Sequence, residues 1–274
     1  MNKESFFIKM FANESRYIGD DGAIVDGRIY SSDIFNENTH FKREWMSLKQ
    51  IAFKSMLVNI SDAIAMNAKP LYCLVTLSLP KDISTKDIDE IVTSLHNIAD
   101  EYGCEIIGGD TIAGERLDFS ITIISETNNP LTRKGLEVGD FLAYTGTLGE
   151  SKQDLNRLFN GEKISSNSKF IEPILRKEFI EKARKYLRTG MDISDGLFCD
   201  TNKMLKMNGI GFELLEEISD EVGSSGEEYE MLVSFAPEAL ESVVQVAKET
   251  NTELTLFARV KNNDNQFICV GHHF

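Results

Sequence analysis

The sequence holds no run approaching the roughly 18 apolar residues that a membrane-spanning helix requires. Its first residues, Met-Asn-Lys-Glu-Ser-Phe-Phe, include an acid and lack a long apolar core, so a secretory signal is not expected. Positive charge is scarce. Lys and Arg number 29 against 44 Asp and Glu, a net charge of −15. That balance argues against non-specific binding to nucleic acid or to an anionic membrane. It leaves room for a phosphate substrate where metal ions bridge the like charges. Histidines number only four, and the four cysteines (Cys73, Cys104, Cys199 and Cys269) form no Cys-x-x-Cys, which disfavours zinc. The cysteines are expected to be buried reduced thiols in a cytoplasmic protein. The phosphate-binding signatures are missing too: there is no G-x-x-x-x-G-K-[ST], no G-x-G-x-x-G, no His-Arg-Asp and no Asp-Phe-Gly.

What is present is an ordinary globular composition, 42% hydrophobic and 27% charged over 274 residues. The patterning predicts helices at Glu4–Phe11, Leu48–Met66 (ended by Pro70) and from Ser84, where Asp87 completes a capping box. Strands are predicted at Ala23–Val25, Arg28–Ser32, Leu71–Leu79, Cys104–Gly108 and Phe119–Ser125. The strand Cys104–Gly108 runs into Gly-Gly-Asp-Thr (108–111), where Asp110 by itself reads as a turn residue after the strand. A turn-rich stretch, Asn128–Gly139, separates residues 1–135 from residues 136–274. The second part alternates strands (Phe141–Thr145, Gly211–Leu215, Tyr229–Phe235, Leu254–Val260) with helices (Lys152–Phe159, Lys169–Tyr186, Leu197–Met207, Pro237–Lys248). The expectation is an α/β or α+β protein of two related domains.

One pattern occurs twice. Val58–Pro70 contains Ile-Ser-Asp inside an apolar helical run, and Met191–Asp200 contains it again. Around these copies lie acids in Gly/Ser/Thr-rich or apolar settings: Asp20, Asp21, Asp33, Asp62, Asp110, Asp192 and Asp195. Charges beside buried segments are costly unless paired or metal-bound, and no matching set of bases accompanies them. All-oxygen ligands suit Mg²⁺ or Mn²⁺. Singly, each acid reads equally well as a turn former or a solvated position; jointly they do not. Arg133 and Lys54 are the candidate cations, and Lys54 reads equally well as a solvated helix position. His40, a lone histidine, reads as a structural residue as readily as an anion ligand. Glu227-Glu228-Tyr229-Glu230 reads by itself as a charged strand entry.

The ordered series resembles a known family. It comprises Gly19-Asp20-Asp21-Gly22-Ala23, Ser32-Asp33 with His40-Phe41, Val58-Asn59-Ile60-Ser61-Asp62 with Ala65-Met66, and Gly108-Gly109-Asp110-Thr111. It continues through Thr132-Arg133, Gly139-Asp140, Thr145-Gly146, Leu148-Gly149, Asp192-Ile193-Ser194-Asp195-Gly196-Leu197 and Gly226-Glu227-Glu228-Tyr229-Glu230. This is similar to the thiamine-monophosphate kinases, of the ATP-binding superfamily that includes aminoimidazole ribonucleotide synthetase. The resemblance implies an N-terminal domain (1–135) that binds ATP and metal and forms a shared barrel across a homodimer, and a C-terminal α/β domain (136–274). It implies Mg²⁺-dependent transfer of the ATP γ-phosphate to thiamine monophosphate. Asp21, Ser32, Asp33, Asp62, Asp110, Asp192 and Asp195 would hold metal. Tyr102, Gly109, Asp110, Arg133 and Ser194 would contact ATP, and His40, Glu227 and Phe274 the thiamine phosphate. Asp62, Asp195 and Arg133 would carry the catalysis. Glu228 stands where the family has Asp, a change expected to shift a contact. The tail Val-Gly-His-His-Phe (270–274) lacks the family's aromatic before His-Phe. The rival readings are another member of the superfamily and a non-catalytic nucleotide-binding scaffold.

Overall fold

The computed structural model describes residues 3–12 and 15–269. Helix α1 (Lys3–Ala12) precedes a mixed sheet of β1 (Ala23–Val25), β2 (Arg28–Asn36), β3 (Lys69–Pro80), β4 (Glu105–Gly114) and β5 (Asp118–Glu126), in the order β1-β2-β5-β3-β4. Two helices, α2 (Leu48–Ala65) and α3 (Thr85–Tyr102), pack together, and α2 lies on β2, β3 and β5. Both begin with a full capping box, Ser47/Gln50 and Ser84/Asp87. The opposite face of this sheet presents Tyr30, Ile34, Tyr72, Leu74 and Ile112 to solvent.

The second sheet contains β6 (Phe141–Thr145), β7 (Thr189–Asp192), β8 (Gly211–Leu214), β9 (Met231–Phe235) and β10 (Leu254–Lys261), in the order β7-β9-β6-β10-β8, with every pair antiparallel. Its helices are α4 (Glu150–Phe159), α5 (Lys177–Ala183), α6 (Leu197–Asn208), α7 (Asp220–Gly223) and α8 (Leu240–Glu249). One apolar cluster joins α5 and α8 to the sheet through Phe179, Val243 and Phe235, and another joins α6 through Met204, Leu205 and Phe257. Helix α2 also touches β7 and α5. It is therefore buried nearly all round, as a helix sandwiched between layers must be.

Several expectations need correction. Helix α2 ends at Ala65 with Met66 as its cap, before Asn67 enters the left-handed region at φ 54°, so Pro70 does not end it and belongs to β3. The strand expected to end at Gly108 runs on through Gly-Gly-Asp-Thr to Gly114, so Asp110 lies within β4 and not in a turn after it. Gly109 permits this, because a Cβ there would fall 1.7 Å from the Val75 carbonyl oxygen. Residues 169–176 are not helical, and β7 and α7 were not anticipated. The two Ile-Ser-Asp copies sit in different backbone settings. The first lies near the end of α2 and the second in the turn between β7 and α6. Finally, Cys199 and Cys269 are joined as a disulfide with Cα atoms 5.3 Å apart, whereas Cys73 and Cys104 are buried thiols. Sequence spacing gave no sign of this pair, because 70 residues separate its members.

Candidate active site

A cleft of about 1330 Å³ opens where α2 meets the second sheet. Its wall takes Asp20 and Asp21 from the turn before β1, Ser32 and Asp33 from β2, and Asp62 from α2. The other half contributes Asp192 at the end of β7, Ser194 and Asp195 from the following turn, and Lys203 from α6. Arg133, His40, Glu227 and Tyr229 line it as well. Ligand oxygens of Asp21, Asp62 and Asp192 lie within 4.8 Å of one another.

Neighbouring groups hold most of the acid-bearing segments in place. Ser61 Oγ donates to Asp192 Oδ2 at 2.6 Å, so the first Ile-Ser-Asp copy touches the second. Asn59 Oδ1 accepts the Asp33 N–H at 2.9 Å, while its own amide is fixed on the Ser55 carbonyl. Arg133 pairs with Asp21 through its guanidinium and donates its backbone N–H to Asp20 at 2.7 Å. Asp200, fully buried, accepts the N–H groups of Ser194 and Asp195 at 3.1 and 3.0 Å, and Lys203 bridges Asp195 and Asp200. Nδ1 of His40 accepts the Asn36 N–H at 3.0 Å, which puts the proton of the neutral ring on Nε2.

Crowding like charges out of water makes these acids weak. Burial, then the charges of Asp33, Asp192 and Asp21, push Asp62 well above the carboxylate range. Asp192 is raised to about 8, first by burial and then by Asp21, against the opposing Ser61 hydroxyl. Loss of hydration in the cleft and the charges of Asp21 and Asp195 take Asp33 to about 6. Burial raises Asp21 despite Arg133. Tyr229 is held neutral by burial and the surrounding carboxylates.

Not every expected residue reaches the cleft. Asp110 is exposed on β4, in register with Thr76 and three strands from β2, at the far edge of the sheet. Gly109 lies beside it. Tyr102 closes α3 half-buried against the core of the first half, so it faces no part of the cleft within this chain. Phe274 lies outside the described residues. Glu228 does not face the cleft; it is buried, accepting from Gly149 N at 2.7 Å and Ser225 Oγ at 2.5 Å. Lys54 is not solvated: it is fully buried and paired with Glu227. Sequence reading missed Asn59, Asp200, Lys203 and Tyr229. Asp200 and Lys203 stand three apart in one helical turn directly after the second motif, which was the available signal.

Two facing α/β halves hold a carboxylate-lined cleft between them. Residues 19–127 match the family model described as AIR synthase related protein, N-terminal domain. The chain is 30% identical over 229 residues to the thiamine-monophosphate kinase of Aquifex aeolicus, covering 79% of this chain and 74% of that one. It is 33% identical over 228 residues to that of Leptospira interrogans, covering 76% and 74%. The fold superposes on AaThiL complexed with AMPPCP and TMP with a TM-score of 0.83 at 25% identity, over 97% of this chain and 94% of that one. Escherichia coli HypE, a hydrogenase maturation protein, shares the fold at a TM-score of 0.73 and 16% identity, over 98% of each chain. This chain belongs to the thiamine-monophosphate kinase family.

Proposed function

We propose that this protein transfers the γ-phosphate of ATP directly to thiamine monophosphate, giving thiamine diphosphate, with Mg²⁺ in the cleft. The observation that carries the reading is the convergence of Asp21, Asp62 and Asp192, from three separate elements, within 4.8 Å. The donor set fits the ion. It is all oxygen, and Asp21 Oδ2 is buried with no hydrogen-bond partner among the described residues. Asp21, Asp62 and Asp192 would hold Mg²⁺, with Ser32, Asp33 and Asp195 at the margin of the same site. When bound, Mg²⁺ offsets repulsion between the two phosphate-bearing substrates and helps align them.

The acceptor is itself a phosphate, so no base is required to deprotonate a hydroxyl. The protein's task is to position and to neutralise. Arg133, beside Asp21, supplies fixed positive charge next to the transferring group. Asp200 fixes the turn that presents Ser194 and Asp195. His40 and Glu227, on the β2 side of the cleft, contact the thiamine phosphate, and Tyr229 supplies a neutral hydroxyl there.

Gly109, Asp110 and Tyr102 serve ATP from the partner subunit of a homodimer. Their position away from the cleft of this chain supports that assignment, as does the open apolar face of the first sheet, which a shared barrel would cover. Phe274 remains assigned to the substrate side. Residues 1–135 form the ATP, metal and dimerisation domain and residues 136–274 the C-terminal domain, in a cytoplasmic enzyme. No helix among the described residues is long and apolar enough to cross a membrane.

Incubation with ATP, Mg²⁺ and thiamine monophosphate tests the reading, with thiamine diphosphate as the product measured. Binding of both substrates without product would instead favour a scaffold. Phosphorylation of a different acceptor alone would favour another member of the superfamily.

A further inference from the structure

Lys54 lies in the middle of α2 with none of its surface exposed. Its ammonium is 2.6 Å from Glu227 Oε2 and 3.8 Å from the centre of the Phe170 ring. The ring of Phe35 is 5.8 Å away, and Phe35 in turn stacks on His40 at 5.4 Å. Among the described residues Glu227 is the only carboxylate paired with Lys54. A buried ammonium is tolerated only with such a partner. Glu227 is constrained as well. Its backbone is left-handed at φ 55°, and its N–H is held by the Ser194 carbonyl at 2.8 Å. One carboxylate oxygen is taken by Lys54, and Oε1 has no protein partner among the described residues. The side chain lines the cleft.

We infer that Lys54 is a positioning residue that acts on the thiamine-bearing substrate through Glu227. The ion pair fixes the carboxylate in one orientation, so that Oε1 is offered as an acceptor to an N–H donor or a cationic ring. The aromatic walls Phe35 and Phe170 hold the ammonium from the other sides, and Phe35 couples the same lysine to the placement of His40. The sequence position of Lys54, in an apolar helical run, is explained: α2 carries the counter-ion of a substrate-binding residue through the core. This rests on the reading of Glu227 as a substrate contact.

Steady-state kinetics on the full chain separate the two. Lys54→Met should raise KM for thiamine monophosphate about tenfold, the loss of one oriented charge-assisted contact. It should leave kcat within about twofold and KM for ATP unchanged, a split that a merely structural role would not give. Glu227→Gln should raise the same KM. The double variant should be no worse than Glu227→Gln alone, because Lys54 works only through Glu227. It also carries no buried charge, so it stays measurable if Lys54→Met alone fails to fold. If Glu227→Gln raises KM and Lys54→Met does not, the positioning role is refuted while the substrate contact stands. An additional tenfold loss in the double variant would refute it as well. Should Glu227→Gln leave KM unchanged, the substrate contact is refuted and the inference goes with it.

Discussion

Ser61 and Asp192, 131 residues apart, meet at 2.6 Å, and this hydrogen bond joins the two halves at the floor of the cleft. The hydroxyl stabilises the ionised form of an acid that its surroundings push up to about 8. Removing it in Ser61→Ala should raise the Asp192 pKa further and weaken Mg²⁺ binding near pH 7. The expected loss is about 1 kcal/mol, roughly fivefold in affinity. Titration of Mg²⁺ by calorimetry at pH 7 and pH 9 checks this, since the defect should shrink at the higher pH. Equal affinity for both proteins at both values would refute the coupling.

The raised acids also set a pH dependence of stability. In the unfolded chain these carboxylates ionise near pH 4; in the metal-free fold Asp33 does so near 6 and Asp192 near 8, with Asp62 raised well above the usual range. Folding therefore takes up protons in that interval. The stabilisation is fully present below the unfolded pKa and is lost as pH rises through about 6 to about 8. Thermal unfolding without metal should show Tm falling over this range. With Mg²⁺ the fall should be reduced, because the ion favours the ionised acids of the fold. A Tm that rises from pH 6 to pH 8 in the metal-free protein contradicts the assignment.

Glu228 tests whether its extra methylene matters to the substrate or to the fold. It accepts from Gly149 N and Ser225 Oγ and lies 3.1 Å from Lys169, within a buried network that also holds Glu230, Lys169 and Arg176. Glu228→Asp cannot span all these partners. Stability should drop by about 1–3 kcal/mol in urea unfolding, the cost of leaving buried polar groups unmatched. KM for thiamine monophosphate should stay within about twofold, since the side chain does not line the cleft. Unchanged stability with a raised KM would place Glu228 at the substrate after all.

The proposed assignment of Asp110 to the partner's cleft is tested by complementation. Asp62→Asn and Asp110→Asn homodimers should each lose most of their activity while remaining folded. Mixed and allowed to exchange, they form heterodimers with one site lacking both acids and one site intact. Activity should then recover to about a quarter of wild type: random exchange makes roughly half of the dimers hybrid, each with one of two sites whole. Absence of recovery despite proven exchange would mean that Asp110 does not serve its partner's cleft.

Much of this was legible beforehand, for local reasons. Strands β1 and β6 have the predicted bounds, and Ser84 with Asp87 opens α3, because capping and alternation depend on residues a few positions apart. The acids of the cleft could be picked out because carboxylates in apolar or glycine-rich company are expensive without a purpose. Lys54 could not be read this way. A lysine in a helical run is ordinarily solvated, and only the second layer packed over α2 makes it buried. Cys199 and Cys269 are similar, since their approach depends on the chain after β10 returning to α6, where Asn202 holds Phe267 by two hydrogen bonds.

Sequence alone determined the chemistry available: an excess of acid, oxygen ligands, no phosphate-binding glycine loop, and a doubled Ile-Ser-Asp that resembles one enzyme family. Tertiary structure decided which of those groups act together. It brought Asp21, Asp62 and Asp192 to one point, put Asp110 at the far edge of its sheet, and turned Glu227 to the cleft and Glu228 to the core. The reason is physical. Charge and propensity belong to residues, whereas desolvation, mutual repulsion and ion pairing depend on distances that only packing between remote segments can set.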